Sequence, residues 1–592
     1  MNFGDTYSDA LLAEGYTTVF YVAGGNIMHI LNSCRNRFQC IPVIHEVSAV
    51  IAAEYFNETS TGAKAFALVT AGPGLTNCVT GIAGAWLESR SVLIIGGQVK
   101  SQDLLTNLGI RQNGIQEIDG VAIVKSICNY SVRIDSPLPV QDFVKAVRKV
   151  EIGRPGPVFI ELCLDVQATP NPLSSPQSEI DIPHLLEISQ SGQVQYLDSL
   201  KDLLESAERP VILLGGGVSR LVANRYLPFL EGLGIPIMTT WNASDRIDSD
   251  SPLFFGRPNT WGQRSANIIL QQSDLLIAIG TRLGIQQTGF NWQEFVPAGK
   301  IVQVDIDENE LKKGHPNVEL PICSTSEKFL MHFKELSSSM SKDLSTWLDF
   351  AGIVRELCPL SDDQNSSHEG FVNPYNFVME LSTVLDPKSI VIPCSSGGAF
   401  TTMMQAFNQK LGQKIVTNKG LASMGYGLSG AIGSAIANPD SNVVLVEGDG
   451  GFSQNLQDIG TVIVNQLNLK IFLYSNEGYA SIRMTQKNYF GGAYMGCDTT
   501  TGLGLPDWSK LFDAFSFPSM TLGPSDIDST DFQEWVNRPG PMAFIIPIHP
   551  EQTYFPKITS SITSNGQMVS NPLHLMMPQL PEEISKLVFR YI

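Results

Sequence analysis

The feature that most constrains this fold is a short apolar run that ends in glycine or a polar turn and precedes a helical pattern. This unit recurs in three segments of the 592-residue chain. Runs that are apolar throughout are typical of strands covered by helices on both faces, and strand–helix alternation is typical of parallel sheets. The runs are TTVFYVAGG, AFALVTAGPG, SVLIIGG and PVFIEL, then PVILLGGG, IPIMTT, DLLIAIG and KIVQVDID, and finally SIVIPCSSGG, NVVLVEGDGG, LKIFLYSN and MAFIIPI.

These segments predict an α/β protein with three doubly wound parallel-sheet domains. A stretch rich in Pro and Ser at 169–183 is predicted to link the first two domains. The predicted domains span 1–170, 185–345 and 370–552, and residues 553–592, which have little periodicity, are predicted to form a C-terminal tail or lid.

The overall charge restricts the partners that this chain can have. With 39 basic and 58 acidic residues, the net charge is −19. A field of that sign repels phosphate backbones and anionic lipid, so we expect neither nucleic acid nor a membrane as partner. The nine scattered cysteines include no C-x-x-C pair, and the N-terminus lacks a secretory signal. These features predict a cytoplasmic protein with reduced thiols.

Two glycine-rich turns carry the strongest chemical signal. Asp449 follows the apolar run NVVLV, and Asn476 follows LKIFLY, 27 positions later. That separation is one strand–helix–strand return, which brings both side chains to the same edge of a parallel sheet. Carboxylate and amide oxygens suit Mg²⁺, and glycines let the backbone approach a phosphate. The pattern predicts a magnesium–diphosphate site, with two unrelated turns as the alternative.

This G-D-G and N-x-G spacing resembles the motif of thiamine diphosphate enzymes. The segment GLASMGYG (420–427) is similar to the family segment that holds the aminopyrimidine ring of the cofactor. Over about residues 1–550 the chain resembles acetolactate synthase of the large-subunit type. The resemblance implies a pyrimidine-binding domain, a central nucleotide-binding-like domain and a diphosphate-binding domain, in that order.

The resemblance also assigns roles to residues of the third domain. It implies that Mg²⁺ is bound by Asp449, Asn476 and the carbonyl oxygen of Gly478. Met424 would bend the cofactor by standing between its two rings, and the carbonyl oxygen of Ala422 would accept from the 4′-amino group. The remaining cofactor contacts would come from Ser396, Gly397, Gly398, Gly448, Gly450, Gly451, Gly478 and Tyr479.

In the first domain, Glu46 lies where a predicted strand gives way to a helix. It matches the family carboxylate that hydrogen-bonds the pyrimidine ring nitrogen and so promotes removal of the thiazolium C2 proton. The alternative is an acid that interacts with the helix dipole. Matching loops place Gly25 beside the reactive carbon and Gln116 near the intermediate. In the family this carboxylate faces the diphosphate of another subunit, which implies a homodimer or a dimer of dimers with shared active sites.

Glu54 and Glu58, further along the helix that Glu46 opens, are predicted to form a solvated or an interface face.

Departures from the family bear on the product. Thr485 stands where acetolactate synthases have a Trp that selects the second 2-ketoacid, and Ile115 replaces a Phe that packs against substrate. Together with Ser481 and Ile482 they are the candidate pocket residues. The resemblance implies Mg²⁺- and thiamine diphosphate-dependent decarboxylation of a 2-ketoacid, pyruvate being expected, and carboligation to a carbonyl acceptor. The alternatives are a C–C hydrolase of a cyclic dione and an inactive cofactor-binding paralogue.

The central domain leaves FAD open. Acetolactate synthases hold FAD there without redox use, and LLGGG could cradle a dinucleotide. However, uncharged LGIQQTG replaces the basic flavin-contacting run of the family. A vestigial domain is therefore favoured over a flavin-binding one.

Overall fold

The chain folds into three parallel sheets, each flanked by helices. The computed structural model describes residues 1–105, 109–171, 190–337, 342–394, 397–562 and 565–592. All twelve apolar runs form strands, and the predicted class of three parallel-sheet α/β domains is confirmed. Of the predicted linker at 169–183, residues 172–183 lie outside the described residues.

The first sheet is built from residues 16–163. Its strands are β1 (Tyr16–Tyr21), β2 (Gln39–Pro42), β3 (Lys64–Val69), β4 (Val92–Gln98), β5 (Tyr130–Ile134) and β6 (Pro157–Cys163). Their order is β2-β1-β3-β4-β6-β5. The surrounding helices are Phe3–Ala13, Met28–Cys34, Glu46–Thr59, Pro73–Thr76, Val79–Glu88, Gly120–Val124, Val140–Arg148 and Leu164–Ala168.

The second sheet is built from residues 210–323. Its strands are β7 (Pro210–Leu214), β8 (Ile237–Thr239), β9 (Leu275–Ile279), β10 (Lys300–Asp305) and β11 (Leu320–Cys323). Their order is β11-β10-β9-β7-β8. The surrounding helices are Gln190–Ser206, Arg220–Gly232, Arg264–Gln271, Ile285–Thr288, Glu308–Lys312, Ser326–Ser337 and Ser345–Leu357.

The third sheet is built from residues 390–547. Its strands are β12 (Ile390–Pro393), β13 (Lys414–Ile415), β14 (Val443–Gly448), β15 (Leu469–Ser475), β16 (Ser519–Thr521) and β17 (Met542–Pro547). Their order is β13-β12-β14-β15-β17-β16. The surrounding helices are Pro374–Val384, Gly398–Ala406, Tyr426–Ala437, Asp449–Phe452, Ile459–Val464, Ala480–Phe490, Trp508–Ala514, Pro524–Ile527 and Thr530–Asn537.

The first and third sheets have the same topology. When the strands are numbered within each domain, both orders read 2-1-3-4-6-5. In each, the chain turns to opposite sides after its first and third strands, and ligands of open α/β sheets bind in the crevice at such a switch point. The corresponding point of the second sheet lies between β7 and β9. The fold therefore offers three candidate crevices.

The C-terminal segment packs against the central domain. It forms the hairpin of β18 (Ser560–Ile562) and β19 (Met568–Ser570) and the helix Glu582–Val588. Leu573, Met576 and Val588 are buried in one core with Trp347 and Phe350 of the helix Ser345–Leu357. None of the helices in the described ranges is long and apolar enough to cross a membrane. All nine cysteines lie in those ranges, and none forms a disulfide.

Candidate active site

Asp449 is the centre of a hydrogen-bonded group at the switch point of the third sheet. It follows β14 directly, and its carboxylate accepts backbone N–H groups from Gly450 at 2.7 Å, Asn476 at 3.0 Å and Gly478 at 3.2 Å. The side chain is 1% exposed. Burial raises the pKa of Asp449 to about 6, although the backbone donors act in the opposite direction. The carboxylate thus joins the ends of two neighbouring strands.

The side chain of Asn476 adds a second oxygen to this group. In the orientation of the structure, that oxygen lies 3.1 Å from Oδ1 of Asp449 and 3.0 Å from the carbonyl oxygen of Gly478. Three such oxygens repel one another unless a cation lies between them or the amide turns its NH₂ group towards the other two. The residues predicted as metal ligands therefore converge; the NH₂ group of Asn476 can donate to both neighbours, and the amide oxygen would face them only around a hard cation.

The turn that presents Gly478 depends on a positive φ and on close packing. Gly478 has φ +118°, and a Cβ there would lie 2.5 Å from the carbonyl oxygen of Cys497. The adjacent Glu477 also has a positive φ, +66°. Glycine at 478 is thus required by backbone conformation and by space.

Sequence reasoning missed Arg483, whose side chain fixes the turn that contains Asn476 and Gly478. This buried side chain donates to the carbonyl oxygens of Asn476 at 3.2 Å and Glu477 at 3.1 Å, and it pairs with Asp498 at 3.3 Å. Hydrogen bonds from Thr500 and Thr501 lower the pKa of Asp498 to about 2, which keeps this carboxylate charged. The available signal was that Arg483 is the one basic residue of the stretch YASIRMTQ (479–486), which also contains the candidate pocket residues Ser481, Ile482 and Thr485.

The predicted diphosphate glycines differ in what surrounds them. A Cβ on Gly450 would lie 2.4 Å from the ring of Tyr479, and one on Gly451 would lie 3.0 Å from Glu447, whereas Gly448 faces open space. Gly397 has φ +89° and precedes the helix Gly398–Ala406. Ser396 lies outside the described residues.

Gly398 reveals a second residue that sequence reasoning missed. A Cβ at this position would lie 2.2 Å from the ring of Tyr554, so only glycine leaves room for that ring. Tyr554 belongs to the predicted tail, whose low periodicity gave no signal for it. Its buried hydroxyl lies beside the side-chain amide of Asn476, with which it can form a hydrogen bond. The tail therefore reaches the switch point of the third sheet.

The loop that carries Met424 is held on both sides of this residue. Ala422 has φ +53°, and its N–H donates to Asn418 at 3.1 Å. The carbonyl oxygen of Gly425 accepts from Asn455 at 2.6 Å. Met424 is half-buried between these points, two residues before the helix Tyr426–Ala437. These hydrogen bonds fix the backbone of the loop on both sides of Met424, the residue predicted to contact the rings of the cofactor.

In the first domain, Glu46 begins the helix Glu46–Thr59 and is buried. Its Oε2 accepts from Asn77 at 2.9 Å, a residue of the loop TAGPGLTN (70–77) that sequence reasoning did not single out. Within the described ranges, no hydrogen bond joins Glu46 to the Asp449 group.

The other first-domain residues lie at the neighbouring strand ends. A Cβ on Gly24 would lie 2.4 Å from Cβ of Thr70, whereas one on Gly25 would meet nothing within 4 Å. Gln116 has φ +62°, and its carbonyl oxygen lies 2.5 Å from where a Cβ on Gly72 would stand. Gly24 therefore serves packing, while Gly25 faces open space.

The helix that follows Glu46 packs against the helix Tyr426–Ala437. Ser48 donates to Asp458 at 2.5 Å and lies 2.9 Å from the hydroxyl of Ser429. Glu54 is fully buried and binds Arg90 at 2.9 Å and the hydroxyl of Tyr426. Glu54 and Glu58 were predicted to form either a solvated face or an interface face. For Glu54 the solvated alternative is wrong, because this side chain lies between two domains.

The predicted pocket residues are only partly brought together. Ser481, Ile482 and Thr485 share the helix Ala480–Phe490, and Oγ of Ser481 lies 3.0 Å from where a Cβ on Gly397 would stand. Ile115 is 85% exposed on a loop of the first domain. The helix thus lies beside the third-sheet loops, while Ile115 lies in the part of the chain that carries Glu46.

Comparison with known proteins agrees with this arrangement. The chain matches three family models: "Thiamine pyrophosphate enzyme, N-terminal TPP binding domain" at residues 1–123, the "central domain" at 197–333 and the "C-terminal TPP binding domain" at 396–546. It is 30% identical to the acetolactate synthase isozyme 1 large subunit of Escherichia coli, over 94% of this chain and 95% of that protein.

Two archaeal proteins named probable acetolactate synthase large subunit are similarly related. The identity is 30% for that of Methanocaldococcus jannaschii, over 88% of this chain and 87% of that protein. It is 28% for that of Methanococcus aeolicus, over 93% of this chain and 92% of that protein. The chain therefore belongs to the thiamine diphosphate-dependent enzyme family, in its acetolactate synthase-like branch.

Proposed function

We propose that this enzyme uses Mg²⁺ and thiamine diphosphate to decarboxylate a 2-ketoacid, pyruvate in the first instance, and to join the remaining fragment to a carbonyl acceptor. The observation that carries the proposal is the convergence of the Asp449 carboxylate, the Asn476 side-chain amide and the Gly478 carbonyl oxygen at a sheet switch point. A hard cation would draw these oxygens together and would take phosphate oxygens as further ligands. The names of the relatives, acetolactate synthases, support the reaction class.

Each half of the site would contribute a different function. Bound thiamine diphosphate supplies a nucleophilic carbon that adds to the 2-ketoacid and permits loss of CO₂. Glu46 would hold a proton at the pyrimidine ring nitrogen, and its hydrogen bond from Asn77 fixes the orientation of the carboxyl group. Met424 and the carbonyl oxygen of Ala422 would position the pyrimidine ring, and Gly25 and Gln116 would border the reacting carbon.

The same reasoning supports an oligomer with shared active sites. The family resemblance supports it, because the family carboxylate that Glu46 matches faces the diphosphate of another subunit. The loops of the first domain also expose large apolar side chains, with Ile44 at 65% and Ile115 at 85%. We therefore propose a homodimer or a dimer of dimers, which sedimentation of the purified protein would test.

The acceptor is expected to differ from that of acetolactate synthases, since Thr485 replaces a large aromatic residue in the predicted pocket. The test is incubation with pyruvate, Mg²⁺ and thiamine diphosphate, together with 2-ketoacid, aldehyde and keto-sugar acceptors and a cyclic dione, and mass spectrometry of the products. A pyruvate-derived two-carbon unit on one acceptor class is expected. Hydrolysis of the dione alone, or no turnover of any substrate, would contradict the proposal.

We further propose that the central domain holds no FAD. A Cβ on Gly215 would lie 2.2 Å from the carbonyl oxygen of Gly280, so the loops after β7 and β9 touch where a dinucleotide would enter. Ser326 donates to the carbonyl oxygen of Gly217 at 2.8 Å, so this backbone group of the crevice already has a hydrogen-bond partner within the protein. The purified protein should lack a flavin absorption band, and a flavin released by denaturation would overturn this proposal.

A further inference from the structure

Residues 554–558, from the predicted tail, are fixed beside the active-site loops. The N–H of Phe555 donates to Asn365 at 2.8 Å, and its carbonyl oxygen accepts from Tyr375 at 2.9 Å. The carbonyl oxygen of Pro556 accepts from Gln405 at 2.8 Å. The backbone therefore holds this segment in a single path between the helix Gly398–Ala406 and the central domain.

Lys557 is a buried cation in this segment. Its side chain is 9% exposed, and Nζ lies 3.3 Å from Sδ of Met484 and 5.1 Å and 5.2 Å from the ring centroids of Trp261 and Phe555. Aromatic faces and a thioether stabilise an ammonium group only partly. Burial accordingly lowers the pKa of Lys557.

No carboxylate or other oxygen in the described ranges accepts from this ammonium group. The contrast with Lys470, another buried lysine, is clear, because Lys470 donates to Asn468 at 2.8 Å and to the carbonyl oxygen of Gly540 at 2.7 Å. The buried arginines Arg264 and Arg257 also have oxygen partners, Asp362 for the first and the carbonyl oxygens of Met404 and Phe407 for the second. A desolvated cation without an anion is costly, so the site around Lys557 suits a negatively charged ligand.

The position of Met484 indicates which ligand this is. Met484 lies one turn after Ser481 on the helix Ala480–Phe490, and residues three apart share a helix face. Ser481 borders Gly397, and the ring of Tyr554 borders Gly398. The ammonium group of Lys557 therefore lies beside the predicted substrate pocket.

We propose that Lys557 binds an anionic group of the carbonyl acceptor, either a carboxylate or a phosphate. The inference rests on the proposed carboligation. The acceptor is the better occupant because a cation on the carboxylate of the donor ketoacid would stabilise the group that has to leave as CO₂ and would oppose its loss. A charge-assisted hydrogen bond from a desolvated lysine would instead hold the acceptor throughout the reaction.

The direct test is calorimetric titration of the protein with two unreactive probes, oxamate for a carboxylate acceptor and inorganic phosphate for a phosphorylated one. We expect the wild-type protein to bind at least one probe and Lys557→Met to bind it about tenfold or more weakly. The matched control is Lys487→Met, which removes an exposed lysine of the helix Ala480–Phe490 that is paired with Glu551. Its affinity should match the wild type.

Binding of neither probe by the wild type, or equal binding by Lys557→Met, would overturn the proposal. Thiamine diphosphate titrations and unfolding curves check that Lys557→Met is folded and binds cofactor. Should that variant unfold, Lys557→Arg, which keeps the charge, is expected to retain anion binding, and its loss would also count against the proposal.

Kinetics separate this inference from the proposed function. In Lys557→Met, the KM for an anionic acceptor should rise about tenfold, while a neutral aldehyde acceptor should be unaffected. An equal rise for both acceptors would contradict a role in anion binding and leave carboligation standing. If the wild type joins pyruvate to no acceptor, the proposed function fails, and the titrations still decide whether Lys557 binds anions.

Discussion

The first and third sheets share one strand order, but the residues at their strand ends carry different chemistry. In the third sheet, Asp449 follows the third strand and Asn476 follows the fourth, and their oxygens converge. At the corresponding ends of the first sheet lie Thr70 and Gln98. Gln98 satisfies both ends of its amide internally, through the carbonyl oxygen of Ile118 and the N–H of Val99, each at 2.9 Å.

The same comparison extends to the helix after the second strand. In the first domain that helix begins with Glu46, and in the third domain Met424 lies two residues before it. One fold thus carries a carboxylate in one copy and an apolar side chain in the other. Because the two domains share one topology, the side chains at the strand ends decide which part of the cofactor each domain can bind.

The largest expected effect tests this division of function. Glu46→Gln should leave the affinity for thiamine diphosphate within about threefold and slow exchange of the cofactor C2 proton by about 10²–10⁴-fold, because the amide cannot share a proton with the pyrimidine ring. Calorimetry and NMR exchange measure the two quantities, and Glu151→Gln, which alters an exposed acid, is the control. Unchanged exchange would remove Glu46 from the mechanism.

A smaller effect is expected where the two similar domains meet. A Cβ on Gly433 would lie 2.0 Å from the carbonyl oxygen of Ala52, so Gly433→Ala should cost about 2 kcal/mol of unfolding free energy. Gly352, also within a helix, has nothing within 4 Å, and Gly352→Ala should stabilise by about 0.5–1 kcal/mol. Denaturant unfolding compares them. Equal effects would mean that the helices Glu46–Thr59 and Tyr426–Ala437 do not pack this closely.

The smallest expected effect on stability is that of Gly25→Ala, which is best compared with a substitution of its neighbour Gly24. Gly24→Ala should destabilise by about 1–3 kcal/mol, because its Cβ would overlap Thr70. Gly25→Ala should change the unfolding free energy by less than about 0.5 kcal/mol and should still lower product formation. Thermal unfolding with activity measurements distinguishes them. A stable Gly24→Ala would show that the strand ends are less tightly packed than described.

Much of the fold was predictable because the interior strands are continuous apolar runs. The strands of the three sheets that lie outside those runs are β2, β5, β11, β13 and β16, and all of them lie at sheet edges. Edge strands are short or half-covered, so their sequences lack an unbroken apolar run; β13 has only two residues. The local pattern therefore had too little signal for them.

The site was predictable where chemistry and spacing combine, as at Asp449 and Asn476. Residues that act through long-range contacts were not. Arg483 and Asn77 lie close in sequence to predicted site loops, but no sequence feature indicates their hydrogen-bond partners. Tyr554 and Lys557 lie in a segment without periodicity, and their environment arises only when the tail crosses two domains. Glu54 would be read as a surface acid until Arg90 and Tyr426 are seen to enclose it.

The most direct test of the account is calorimetric titration of thiamine diphosphate into wild-type protein and Asp449→Ala, with and without Mg²⁺. We expect Mg²⁺-dependent binding of thiamine diphosphate by the wild type. In Asp449→Ala the affinity should fall on the order of 100-fold or more, because one metal ligand is removed. Asp440→Ala, which alters an exposed acid of the same domain, should bind normally. Undiminished Mg²⁺-dependent affinity in Asp449→Ala would contradict the proposed cofactor site.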